Sequence, residues 1–116
     1  ILGSCSDVSH VLSQSTVGIL TSTYEGFPVT LLEYGRARLL TVTSDVGYCS
    51  QIIRNGETGV CFENLNEGAL VKIFKGIENN KIEITRLADN LNIFVLENYT
   101  AKVIANQILS KYTAVL

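Results

Sequence analysis

TSTYEGFPVTLLEYG, residues Thr21–Gly35, places Glu25 in a polar stretch, the chain's one proline at Pro28, and a second carboxylate, Glu33, eight positions after the first. Just before it, Val17-Gly18-Ile19-Leu20 is a short apolar run. That run predicts a buried strand that ends in the polar loop Thr21-Ser22-Thr23. Proline has no N–H to lose at the first position of a helix, and its φ is already suitable. Pro28 therefore marks the start of a helix running to about Arg38. A strand, a loop and a helix in this order are the unit from which a parallel sheet is built.

The flanking sequence repeats the unit. Leu39-Leu40-Thr41-Val42-Thr43 is rich in β-branched residues and reads as a second strand, and Gly59-Val60-Cys61-Phe62, after the turn signal Arg54-Asn55-Gly56, reads as a third. Ile1-Leu2-Gly3 reads as the end of an earlier strand. Asp7 is positioned to cap a helix carrying Val8, Val11 and Leu12 on one face. Leu70, Ile73, Phe74 and Ile77 keep a helical period, as do Ile84, Leu87, Ala88, Leu91 and Val95. Ile104, Ile108 and Tyr112 mark a terminal helix, which Thr100 would cap. Glu63 to Glu67 and Glu78 to Lys81 read as loops. Strands alternating with helices predict an α/β fold, a parallel sheet with crossover helices. In such sheets ligands collect at the carboxyl ends of the strands, which is where the loop from Thr21 to Pro28 falls.

Composition narrows the function classes. The 116 residues are 47% hydrophobic and 17% charged, as expected of about one domain with a core. The net charge is −2 with no run of either sign, so the basic patch of a nucleic-acid binder is missing. No apolar run approaches the roughly 18 residues of a membrane span, and no signal peptide is visible. Cys5, Cys49 and Cys61 have no Cys-x-x-Cys spacing and His10 is the one histidine, so the pattern is that of reduced thiols in a cytoplasmic protein, without a metal-ligating cluster.

The opening stretch carries the chemistry. A helix start offers unpaired N–H groups, here expected on Val29 and Thr30, and with Gly26 and Phe27 before them they make an anion site. Gly26 lacks Cβ, so its backbone can approach a ligand closely. Glu25 lies before the helix and Glu33 two turns inside it, about 12 Å along the axis at 1.5 Å per residue. A carboxylate is a poor partner for phosphate but a strong acceptor for a vicinal diol. A nucleoside diphosphate sugar offers diols at both ends and negative charge between them. Ribose would lie near Glu33, diphosphate at the helix start and sugar near Glu25. The alternative reading is plain surface charge, for the chain has eight glutamates and an acidic residue near a helix start is stabilising in itself.

Glu25-Gly26-Phe27-Pro28 followed by Leu31-Leu32-Glu33 resembles the E-x7-E signature of the family 4 retaining glycosyltransferases, which have two Rossmann-like domains (the GT-B fold). Other segments agree in order. Ile1-Leu2-Gly3 resembles a strand end of the carboxy-terminal domain, and Val17 to Ser22 resembles the strand ending in "P-S". Thr41-Val42-Thr43-Ser44-Asp45-Val46-Gly47 resembles "P-V-V-A-T-D-V-G". Ile52 to Val60 resembles "E-I-I-x-x-G-x-x-G-x-L", and Asn98-Tyr99-Thr100 resembles the "F-S" opening the last helix. The resemblance implies that residues 1–116 are a partial carboxy-terminal donor-binding domain, an incomplete Rossmann-like parallel sheet flanked by helices. It implies transfer of a sugar, with retention, from a UDP- or GDP-linked donor to an acceptor in polysaccharide or glycoconjugate synthesis. Glu25 would take the catalytic position beside the donor sugar. Gly26, Phe27 and Pro28 would meet sugar and phosphate, Val29 and Thr30 diphosphate and ribose, and Glu33 the ribose hydroxyls. No cofactor or metal is implied. The location expected is cytoplasmic, with peripheral association at the inner face of the membrane common in the family, although no amphipathic basic helix here demands it.

The chain also departs from the pattern. Arg38 stands where glycine is usual at the helix end, at a cost of about 1 kcal/mol if the backbone is left-handed there. Leu40 replaces the usual proline and Gln51 a common glutamate. Arg36 and Arg38 complement the helix dipole; contact with phosphate or acceptor is the alternative. The family's first two strands of this domain, with the basic residues that clamp the diphosphate, and its acceptor-binding amino-terminal domain are not in the sequence. An exposed strand edge is therefore expected, to be completed by the missing domain or a neighbouring chain, and the 116 residues alone are expected to be inactive. Two competing functions remain: a non-catalytic fragment or degenerate module of the same fold, and an enzyme resembling a nucleotide-sugar epimerase. An epimerase would act without an acceptor.

Overall fold

The computed structural model describes residues 3–115. The described elements are α1 (Val8–Ser13), β1 (Val17–Leu20), α2 (Val29–Arg36), β2 (Leu40–Ser44), α3 (Cys49–Ile52), β3 (Val60–Phe62), α4 (Glu67–Glu78), α5 (Ile84–Asn98) and α6 (Ala101–Val115). The strands form one parallel sheet in the order β1-β2-β3, with Val17 opposite Leu40 and Val42 opposite Val60. Ile1 and Leu2 of the expected early strand lie outside the described residues. Gly3 is irregular, with φ +67°.

Local chemistry explains the boundaries. Asp7 accepts from His10 N–H at 3.1 Å to open α1, and Thr100 Oγ1 accepts from Val103 N–H at 3.2 Å to open α6. Asn66 does the same for α4 through Ala69 N–H at 3.0 Å. At the far end of α2, Arg38 has φ +57°. Its N–H meets Gly35 C=O at 3.1 Å and Leu39 N–H meets Tyr34 C=O at 3.0 Å. This is a Schellman ending, with arginine where glycine is favoured. The helix thus stops at Arg36, two residues short of the expected end. The Arg38 side chain reaches Asp89 at 3.5 Å, an exposed pair that contributes little.

β2 is central and buried along all five residues. Its polar side chains are paired with carbonyls: Thr41 Oγ1 donates to Leu39 C=O at 3.3 Å and Ser44 Oγ to Ser22 C=O, 22 residues away, at 2.7 Å. The core on the helical side joins Leu31, Cys49, Ile52, Ile53, Leu91 and Val95. α2 lies against α5 because Gly35 leaves room: a Cβ there would be 2.7 Å from Val95 Cγ2 and 3.0 Å from Leu91 Cγ. Asn92 Nδ2 donates to Gly35 C=O at 3.0 Å across the same seam.

β1 is at one edge of the sheet, with no strand on its outer side among the described residues. Tyr34 lies across it, over Gly18, and its hydroxyl donates to Ile19 C=O at 3.2 Å. Burial first, then the Glu33 carboxylate, raise the Tyr34 phenol above its ordinary value and keep the donor proton in place. α6 projects from the α5 end, and the chain measures 54 × 29 × 27 Å. No described helix is long and apolar enough to cross a membrane.

Candidate functional site

The loop from Thr21 to Pro28 leaves β1 at its carboxyl end. It is held from three directions. Ser22 Oγ donates to Glu25 Oε1 at 3.0 Å and so orients the carboxylate. Ser44, the last residue of β2, bonds the Ser22 carbonyl, tying the loop to the central strand. Tyr48 N–H donates to Gly26 C=O at 3.2 Å. Gly47, at φ +52°, comes so close that a Cβ on it would be 1.8 Å from the Glu25 carbonyl oxygen. The half-buried Glu25 is therefore a fixed acceptor at the mouth of the sheet. At the ends of all three strands is a cavity of about 280 Å³ lined by Thr21, Ser44, Phe62, Asn64, Leu65 and Leu70, among others.

The helix start differs from the sequence expectation. Pro28 is the buried cap of α2, at φ −84° and ψ 87°, and Val29 is the first helical residue. The chain turns sharply before it, so Val29 N–H is not free: it donates to Phe27 C=O at 3.1 Å. Thr30 N–H makes no backbone hydrogen bond among the described residues. It is the donor this helix start can offer an anion. The exposed Gly26 has nothing within 4 Å of where a Cβ would lie, so its backbone is open to a ligand.

Glu33 is exposed on α2, and it faces a groove of about 640 Å³ between α1 and α2 lined by Val8, Ser9, Leu12, Ser13, Arg36 and Ala37. No described cavity contains both Glu25 and Glu33. Glu33 lines the groove beside α1, and Glu25, in the loop before α2, lines none of the described cavities. Arg36 shares the Glu33 groove, where its charge could meet an anion as well as the helix dipole.

Sequence reasoning named Phe27 but missed the aromatic residues that surround it. Phe27 stacks on Tyr48, with ring centroids 5.3 Å apart, and on Tyr99 at 5.8 Å. Tyr99 in turn meets Phe94 edge-on at 5.9 Å, and the Arg54 guanidinium lies 5.0 Å above the Phe94 ring. The signal was thin: Tyr48 and Tyr99 are 51 positions apart, and nothing in their local spacing joins them.

The thiols are far apart in character. Burial, then the Asp45 carboxylate and the neighbouring Cys49 thiol, push the Cys61 thiol up to about 11. At pH 8 its thiolate is then about one part in a thousand. Cys49 is fully buried and Cys5 exposed. Iodoacetamide at pH 8 is expected to label Cys5 alone in the folded protein, with Cys61 labelled only near pH 11 or after denaturation. Peptide mass mapping checks this, and prompt labelling of Cys61 at pH 8 would contradict it.

Comparison with known proteins agrees with this architecture. A family model described as glycosyl transferases group 1 matches residues 1–108. The chain is 32% identical over 116 residues to the N,N'-diacetylbacillosaminyl-diphospho-undecaprenol alpha-1,3-N-acetylgalactosaminyltransferase of Campylobacter jejuni, covering 99% of this chain and 30% of that protein. Among solved structures, Anabaena HepE in complex with UDP superposes with a TM-score of 0.88 at 16% identity, over 95% of this chain and 30% of that one. Sucrose-phosphate synthase of Thermosynechococcus elongatus superposes at 0.81 and 22% identity, over 90% of this chain and 26% of that one. The carboxy-terminal domain of the group 1 glycosyl transferase LpcC of Francisella tularensis superposes at 0.72 and 20% identity, over 86% of this chain and 53% of that domain. These likenesses give the fold as that of GT-B glycosyltransferases, and the chain spans 30% of the length of the curated relative it matches.

Proposed function

The chain belongs to the glycosyl transferases group 1 family, and on that premise we propose that it is the donor-binding part of a retaining glycosyltransferase, a partial carboxy-terminal domain that holds a nucleoside diphosphate sugar. The observation that carries this reading is the loop before α2. It combines a carboxylate oriented by Ser22, an open glycine backbone at Gly26 and a free Thr30 N–H at one place. Such a set holds hydroxyls and an anion side by side. Glu25 takes the sugar hydroxyls next to the reacting carbon. Gly26, Phe27, Pro28 and Val29 shape the wall at the sugar and first phosphate, and Thr30 meets the diphosphate.

Glu33 takes the ribose diol in the groove against α1, with Val8 and Leu12 offering apolar surface nearby. The acceptor hydroxyl oxygen bonds to the anomeric carbon as the C–O bond to the nucleoside diphosphate breaks; the diphosphate leaves with that electron pair, and the acceptor's proton passes to its departing oxygen. Positive dipole at the helix start favours that departing charge. UDP is the nucleotide we favour, since HepE was solved with it. The relative in Campylobacter acts on a lipid-linked diphosphate; a glycoconjugate acceptor on the cytoplasmic side of a membrane fits the same reading. The acceptor domain and the rest of the diphosphate clamp would come from the remainder of the protein or from a neighbouring chain.

The test is nucleotide-dependent stability of the full-length protein. UDP at about 100 times its dissociation constant is expected to raise Tm by roughly 5–10 °C. Glu33→Ala should lose most of that rise while keeping the Tm of the free protein. A non-catalytic module of the same fold predicts no effect of UDP or GDP on either protein, and that result would overturn the proposal.

A further inference from the structure

Phe27 and Tyr48 are large rings left about half exposed, at 48% and 43%, beside the Glu25 loop. Burying such rings is favourable, and an exposed aromatic pair normally meets something. Their backs are not loose. Tyr99, at the junction of α5 and α6, supports Phe27, Phe94 supports Tyr99, and Arg54 covers Phe94. Burial first, then the Tyr48 hydroxyl, hold the Tyr99 phenol above its ordinary value, with Arg54 opposing. So Tyr48, Tyr99 and Arg54 are gathered at one place. Below, Gly47 and the Tyr48 N–H fix the backbone against Glu25 and Gly26. The two outer rings are tilted by 38° to each other, with centroids 5.3 Å apart.

We propose that Phe27 and Tyr48 form a sugar-stacking shelf, on which the C–H face of a pyranose ring lies while Glu25 accepts its hydroxyls. The inference rests on the donor-binding reading and adds residues that choose which sugar is held. A phosphate gains nothing from an aromatic face. A uracil ring could stack there, but it has one N–H to offer a carboxylate, whereas a pyranose offers adjacent hydroxyls. Tyr48 is the specificity-determining member of this proposal, because its ring is exposed next to Phe27 and comes from a different loop. Tyr99, which acts through Phe27, is a positioning residue.

The pyranose can belong to the donor or to the acceptor's terminal sugar. Saturation-transfer NMR on the full-length protein separates them, with aromatic protons irradiated and four probes: UDP, UDP-glucose, UDP-N-acetylgalactosamine and the methyl glycoside of N-acetylgalactosamine. Transfer to the sugar ring of a bound UDP-sugar, weakened about fivefold in Tyr48→Ser and restored in Tyr48→Phe, supports the shelf with the donor as occupant. The same pattern on the methyl glycoside alone supports it with the acceptor as occupant. Phe27→Leu gives a second reading should Tyr48→Ser fail to fold. Sugar signals unchanged in both variants, or a loss confined to uridine, overturn the shelf and leave the donor reading standing. No uridine or sugar signal with any probe in the wild type overturns both.

Discussion

Gly47→Ala is expected to lower donor turnover by the full-length protein about 100-fold, with a stability loss of only about 1–2 kcal/mol. The backbone at Gly47 is left-handed, at φ +52°, which costs a residue with a Cβ about 1 kcal/mol. The larger effect is displacement. The new Cβ would be 1.8 Å from the Glu25 carbonyl oxygen and 2.9 Å from that of Gly26, both backbone atoms that cannot swing aside. The Glu25–Gly26 peptide must move by an ångström or more, and the Glu25 carboxylate and the Tyr48–Gly26 hydrogen bond move with it. Misplacement on that scale commonly costs a factor of about 100 in rate. Gly56→Ala separates the two contributions. Gly56 has φ +77° and nothing within 4 Å of its Cβ position, so it carries strain without displacement. Steady-state kinetics on both variants decide the matter. Equal losses for the two would show that backbone strain, and not the Glu25 loop, is responsible.

Leu91→Ala is expected to destabilise the domain by about 3 kcal/mol and to lower its Tm by about 10 °C. Leu91 is fully buried at the centre of the α2–α5 seam, among Leu31, Ile52, Ile53 and Val95. Truncation leaves a cavity that the rigid neighbours fill only in part, so the cost exceeds the loss of transfer energy. The Gly35 backbone lies against this side chain, so the seating of α2 on the sheet depends on it. A consequence beyond stability follows: α2 carries Thr30 and Glu33, so nucleotide binding should weaken as the seam loosens. Denaturant unfolding measures the first effect and a UDP titration the second. A loss below about 1 kcal/mol would mean that the seam collapses onto the gap and is not close-packed.

Much of the fold was legible from residue pattern. Val17–Leu20 is a strand as predicted, β2 is shifted by one residue at both ends, and β3 starts one residue later. Strong apolar runs bounded by turn residues carry that information locally. Asp7 and Thr100 cap helices as their side chains allow. The four residues of α3 were not predicted, because a single turn has no period to detect. Its buried Cys49 and Ile52, three apart, are visible as a helix face only once the core exists. Pro28 fell one place from its expected role, since proline is compatible with both the cap and the first turn, and the preceding loop chose between them.

The site divides in the same way. The order Glu25, Gly26, Pro28, Glu33 was enough to mark a loop and helix start suited to hydroxyls and an anion, because those properties belong to single residues and to the backbone of one segment. That Glu33 faces a groove was settled by α1, which supplies its other wall. Ser22 supports Glu25 from within the same loop, whereas the support of that loop by Ser44 and Gly47, and of Phe27 by Tyr48 and Tyr99, joins residues distant in the chain. Their meeting depends on how the parallel strands bring three loops to one end of the sheet. Local pattern records the propensity of a segment; it does not record which segments the packing of the core will bring together.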